Sequence, residues 1–186
     1  AMWQAMLMGA GLPSSKKIII DGFITGEGGL KMSKTLGNVV NPLDVINEYG
    51  TDALRYFVLR ELSPFEDSPF TMEKFKEAYN AHLANGLGNL VSRVMKMVVD
   101  NDVEIPYKDI KIESEAEYTK YVESLENFEI NKACDVIWSI VQKADKRIQE
   151  EQPFKLIKTD NKKGKDIISS LGIELYKIAI LLKPIL

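Results

Sequence analysis

Lys31-Met32-Ser33-Lys34-Thr35 sets two lysines three residues apart, with a serine between them and a second hydroxyl just after. Gly26-Glu27-Gly28-Gly29 precedes the run and Leu36-Gly37-Asn38 follows it, so flanking glycines can take up positive φ. Side chains of this kind bring mobile positive charge and a hydroxyl donor to a polyphosphate. Attack at phosphorus builds negative charge on a pentacoordinate centre and on the departing pyrophosphate. Lysines that engage only at that stage lower the barrier electrostatically. Such a loop must move to close over its ligand. As K-x-x-K alone, the string reads first as a solvated, lysine-rich turn.

A second set of polar side chains lies on a helix. Asn85, Asn89 and Arg93 recur at four-residue steps and so share one face. That face is offset from the apolar stripe Phe75, Tyr79, Leu83, Leu87, Leu90, Val94 and Val98. An amide and a guanidinium in this arrangement can read the Watson–Crick edges of splayed bases; a solvated helix face is the alternative.

The elements that must position these groups follow from pattern and punctuation. Residues 2–9 end a helix, and Ile18-Ile19-Ile20 reads as a short buried strand. Asn41-Pro42 predicts an N-cap with proline at the first helical position, and Gly50 ends that helix. Thr51 is expected to cap the next, which runs to about Glu61. The break Ser63-Pro64-Phe65-Glu66-Asp67-Ser68-Pro69 divides the chain into 1–62 and 63–186. Beyond it the pattern is helical. Thr71 caps the long helix, and Ser114 with Glu117 suggests a capping box for a second. A third spans about Ile130–Glu151, with Ile130, Ala133, Ile137, Val141, Ala144 and Ile148 on one face. A short one restarts at Pro153, and the last covers about Asp166–Lys183. The fold class expected is mainly α: short strands and helices carrying the loop, then a helical bundle.

Composition narrows the function. The chain has 186 residues and a net charge of −3, which argues against binding nucleic acid by overall charge but leaves room for a local patch. Acidic residues crowd 113–129, whereas Lys155, Lys158, Lys162, Lys163 and Lys165 cluster later. No stretch approaches the roughly 18 consecutive apolar residues of a membrane span, and no basic segment precedes the first apolar residues. One cysteine, Cys134, and one histidine, His82, offer neither a disulfide nor a zinc cluster. No metal site and no membrane partner are expected. A reducing, cytoplasmic setting fits.

The run from Lys31 to Pro42 resembles the second signature of class I aminoacyl-tRNA synthetases, KMSKS followed by LGN, with Thr35 keeping the hydroxyl of the last serine. Tyr49-Gly50-Thr51-Asp52-Ala53-Leu54-Arg55-Tyr56 is similar to the helix start behind that loop. Within the class, Trp3-Gln4-Ala5-Met6-Leu7 to Gly11-Leu12-Pro13 resembles a W-P-A-M-L run of methionyl-tRNA synthetases, with Gln4 replacing proline. The stretch from Asn80 to Arg93 is similar to the same family's anticodon-binding bundle. The resemblance implies that Lys31, Met32, Ser33, Lys34 and Thr35 bind ATP with its Mg2+, with Lys31 and Lys34 catalytic. It also implies that Asn89 and Arg93 bond to the anticodon of tRNA(Met), and Asn85 extends their line. Phe154, after Pro153, falls where the family has a tryptophan on which an anticodon base stacks; a core residue at the start of a short helix is the equal alternative.

Some positions depart from the family. Asp21-Gly22 replaces a His-Gly pair, the turn through Gly26–Gly29 is one residue longer, and Asp145 and Arg147 replace Asn and Tyr. The HIGH signature is absent, since His82 lies mid-helix and reads as a structural or surface residue. The chain is therefore expected to be the C-terminal part of a methionine–tRNA ligase. Methionine and ATP would be engaged only together with an N-terminal half, and this part alone would bind no cofactor and make no methionyl adenylate. The corresponding part of a leucyl-, isoleucyl- or valyl-tRNA synthetase, or a free-standing helical RNA-binding module, is the alternative.

Overall fold

Apolar side chains at three- and four-residue steps from Ala133 to Ile148 demand a helix buried along one face. The computed structural model, which describes residues 2–112 and 115–186, builds it as α7 (Ile130–Glu151). Before it come α1 (Met2–Gly9), α2 (Pro42–Tyr49), α3 (Thr51–Arg60), α4 (Met72–Ala78), α5 (Asn89–Asp100) and α6 (Ala116–Glu126). After it come α8 (Pro153–Thr159) and α9 (Asn161–Leu182). Two-residue strands β1 (Ile24–Thr25) and β2 (Ser68–Pro69) pair in parallel, Ile24 opposite Ser68. The protein is mainly α.

The larger core lies between α5, α6, α7 and α9. Leu90, Val94, Tyr121, Ile137, Val141, Ile148, Leu171 and Ile178 are buried there. Cys134 is in the same cluster, and burial pushes its thiol up to about 12, which makes it an inert packing group. A smaller cluster joins Val45, Ala53, Phe57, Leu62, Phe70, Phe75 and Ala78. It draws on residues from both sides of the Ser63–Pro69 break.

Several local expectations need correction. Ile18, Ile19 and Ile20 are exposed and form no strand. A β-branched run becomes a strand only beside a ladder partner, and among the described residues none lies next to it. The pairing falls instead at Ile24–Thr25, where the Ser68 amide donates to the Phe23 carbonyl and the Phe70 amide to the Thr25 carbonyl. Gly22 makes this approach possible, since a Cβ there would lie 2.1 Å from the Glu66 carbonyl oxygen. Thr51 does not cap α3 through its side chain. Gly50, at φ 87°, takes the cap position and turns the chain there. The last helix begins at Asn161, five residues early, because the Asp160 carboxylate accepts from the Lys163 amide and caps it. Ser114, the expected cap of α6, lies outside the described residues.

Other expectations hold. Asn41 accepts from the Leu43 amide with Pro42 at the first helical position, and Thr71 accepts from the Lys74 amide. The continuous helix from Met72 to Asp100 contains a feature that the sequence pattern does not announce. Tyr79–Gly88 winds as a π-helix, with i→i+5 hydrogen bonding.

The α7–α8 corner is made by Gln152 in the left-handed region (φ 44°, ψ 54°), followed by the fully buried Pro153. From there α8 folds against α9. Gly164 permits the contact, because a Cβ at that position would meet the Ile157 Cα at 2.6 Å. We expect Gly164→Ala to force the two helices apart and to destabilise the fold by about 1–3 kcal/mol, measured as a lower urea midpoint at unchanged m-value.

Candidate functional site

The Lys31–Thr35 segment is a loop braced from within by the Asn38 side chain. The Asn38 Oδ1 accepts from the Ser33 amide (2.9 Å) and its Nδ2 donates to the Lys31 carbonyl (3.2 Å). Gly26 leaves room for that amide, since a Cβ there would lie 3.1 Å from Nδ2. The Gly37 amide donates to the Lys34 carbonyl, and Gly37 takes φ 66°. Met32 and Val40 pack on the smaller hydrophobic cluster and anchor both ends. The Ser33 hydroxyl accepts from the Leu36 amide (3.2 Å), which leaves its own proton to donate outward. Lys31, Lys34 and Thr35 are exposed. Among the described residues no carboxylate pairs with either lysine. Two uncompensated cations and a free hydroxyl proton on one short loop fit a polyanion. Among the described residues no group of three or more His, Cys, Asp or Glu side chains comes together to hold a metal ion.

Asn85, Asn89 and Arg93 are all exposed along the helix that faces α7. Arg93 and Phe154 line one groove of about 700 Å³ between the C-terminal half of α5 and the α8–α9 corner, together with Lys96, Asn101, Lys158 and Asn161. Asn85 lies elsewhere, in a smaller hollow of about 270 Å³ with Gln142, Asp145 and Gln149. Asn89 lies between them in sequence and lines neither. The Arg93 guanidinium donates to the Asp145 carboxylate, whose second oxygen accepts from Gln149 (2.7 Å). Asp145 thus stands at the junction of the two hollows. Arg147, the other departure from the family, points into the bundle and bonds to Ser170 (2.8 Å) and Glu174 (3.1 Å) on α9. Burial raises the Glu174 carboxyl above its usual range, although the Arg147 charge opposes this.

Of the structural and surface readings that its mid-helix place allows, the structure gives His82 the structural one. The Arg60 guanidinium donates to its Nδ1 (2.7 Å) and also bonds to Tyr56, Glu61 and Asp135 while lying over the Trp138 ring. Burial, and then the Arg60 charge, lower the His82 pKa. An imidazole that accepts from arginine is neutral, so the nearby Glu61 carboxylate (3.3 Å) is not its ion-pair partner. Sequence reasoning missed the roles of Asn38 and Asp145. The first had a signal, a lone amide behind a glycine. The second is a contact across 52 residues that no local pattern reports.

Residues 1–95 match the family described as tRNA synthetases class I (M). The chain belongs to that family, the methionyl-tRNA synthetases. It is 37% identical to the methionine–tRNA ligase of Caldanaerobacter subterraneus subsp. tengcongensis and 39% identical to methionine–tRNA ligase 1 of Bacillus cereus. These alignments cover 98% and 99% of the chain but 30% of each relative. A methionyl-tRNA synthetase of Mycobacterium tuberculosis bound by methionyl-adenylate superposes with a TM-score of 0.83 at 27% identity, over 99% of this chain and 38% of that one. The chain therefore spans about a third of the length of its relatives. Relatives and structural neighbour alike are methionine enzymes, which favours that type over the leucine, isoleucine and valine alternatives.

We expect Asn38→Ala to free the signature loop at the loss of two hydrogen bonds, each worth about 0.5–1.5 kcal/mol net. Hydrogen exchange should quicken at the Ser33 amide while α7 stays protected.

Proposed function

We propose that this chain is the C-terminal part of a methionine–tRNA ligase that activates methionine with ATP and transfers it to tRNA(Met) in the cytoplasm. Residues 1–62 supply the phosphate loop, and residues 63–186 supply the part that recognises the CAU anticodon. The observation that carries the second role is the groove shared by Arg93 and Phe154, which are 61 residues apart in sequence (154 − 93) and come from different helices. A half-exposed aromatic ring beside a guanidinium offers a base both a stacking face and an edge-reading donor. Asn89, one turn before Arg93, and Asn85, in the adjoining hollow beside Asp145, are the further candidate contacts.

For the loop, two cations without carboxylate partners and the outward Ser33 proton support binding of the ATP phosphates. The bound nucleotide with its Mg2+ supplies the α-phosphorus that the methionine carboxylate attacks. Lys31 and Lys34 meet the charge that develops there, and Met32, Ser33 and Thr35 shape the contact. Asn38 holds the loop for this task.

Binding to an anticodon stem-loop bearing CAU, against the same stem-loop with the anticodon permuted, tests the reading at fixed moderate salt. We expect a clear preference for CAU. Asn89→Ala or Arg93→Ala should abolish it, and Phe154→Ala should weaken CAU binding by about 1–3 kcal/mol. Equal binding to every loop would refute the anticodon assignment. Separately, the purified chain should give no ATP–pyrophosphate exchange above background, because the HIGH signature is not in its sequence. Exchange at a measurable rate would overturn that expectation.

A further inference from the structure

The lysines of α8 and the first turn of α9 contrast with five others on the bundle. Lys96, Lys132, Lys143, Lys146 and Lys177 each face a carboxylate, namely Asp100, Glu129, Glu117, Glu150 and Glu115. Lys155, Lys158, Lys162 and Lys163 are exposed, and among the described residues none has an ion-pair partner. The one acidic residue in the stretch from Pro153 to Lys163 is Asp160, and its carboxylate is engaged in capping α9. Four uncompensated positive charges therefore sit within nine residues (155–163) of a chain whose net charge is −3.

Their place gives them direction. Lys158 lines the same groove as Phe154 and Arg93, and Asn161, next to Lys162, lines it too. The Lys155 ammonium lies 5.9 Å from the centre of the Phe154 ring. Two of the four cations, Lys155 and Lys158, thus lie beside an exposed aromatic face and an arginine, and Lys162 and Lys163 continue the run onto α9. This is the pairing that single-stranded nucleic acid asks for: charge along the sugar–phosphate backbone and a ring for the base. The buried Pro153 and the close contact at Gly164 fix the corner against α9, so the charges are carried by a rigid element.

We propose that Lys155, Lys158, Lys162 and Lys163 form a phosphate track that sets the register of an RNA strand, so that one of its bases reaches Phe154. This rests on the anticodon-binding reading above and adds the backbone contacts to it. Phosphate contacts position the strand and carry no sequence information, whereas base contacts discriminate. The two roles separate experimentally.

The test measures binding of the CAU and permuted stem-loops to the full chain across a series of salt concentrations. The comparison is between the unsubstituted protein and a variant with Lys155→Gln, Lys158→Gln, Lys162→Gln and Lys163→Gln. If each lysine meets one phosphate, the slope of log Kobs against log salt becomes shallower by about 3 in the variant, while the ratio of CAU to permuted binding stays the same. A melting curve matching the unsubstituted protein confirms that these exposed changes leave the fold intact. An unchanged slope with CAU preference preserved would overturn the track and leave the anticodon reading standing. A shallower slope with no CAU preference in either protein would keep the track and refute the anticodon reading.

Discussion

Tyr56 and Phe57 are neighbours on α3 and enter different hydrophobic clusters. On this the joining of the two parts of the molecule depends. Tyr56 packs against Trp138 of α7, and Phe57 against Phe70 and Phe75. One helix therefore carries both the wall that supports the signature loop and a side of the bundle. Polar contacts fix its direction. Arg55 donates to the carbonyls of Pro184 and Ile185 at the far end of the chain, and Arg60 reaches Asp135 at the start of α7. Neither arginine could be replaced by lysine without loss, since each uses more than one face of its planar fork.

The Arg60 cage shows how burial and charge are balanced at this joint. The Tyr56 hydroxyl is driven well above its ordinary pKa by burial, and the Arg60 charge opposes the rise. The carboxylates of Glu61 and Asp135 compensate the guanidinium, and His82 stays neutral beside it. A half-buried cation is tolerated because every neighbour either accepts a hydrogen bond from it or presents a ring face.

Much of this was legible in the sequence. The bounds of α7, the restart of α8 at Pro153 and the Asn41-Pro42 cap all follow from apolar spacing and capping chemistry. These are local rules, and they hold wherever the partner of a side chain lies within a turn or two. They fail where the partner is remote or missing. Ile18-Ile19-Ile20 has the composition of a strand and, among the described residues, no ladder to join. The π-helical winding of Tyr79–Gly88 leaves the four-residue spacing of Tyr79, Leu83 and Leu87 intact, so periodicity does not reveal it. The loop and the Asn85–Arg93 face were legible as candidates from residue type and spacing. Asn38 and Asp145 stand out in the sequence, one in the signature run and one as a departure from the family, but that they hold Ser33 and Arg93 came into view only with the fold.

The pairing of β1 with β2 has a consequence for local opening. It closes a loop of more than forty residues with a handful of backbone hydrogen bonds, and its flank from Ile18 to Ile24 keeps most of its apolar surface in solvent. Closing such a loop carries an entropy penalty that these few bonds must offset, whereas α7 is protected by a continuous buried face. Opening free energies within one fold range from near zero to the global value. The segment that carries Lys31–Thr35 belongs at the low end of that range and α7 at the high end. The molecule thus sets an easily opened unit beside a persistent one, and α3 joins them.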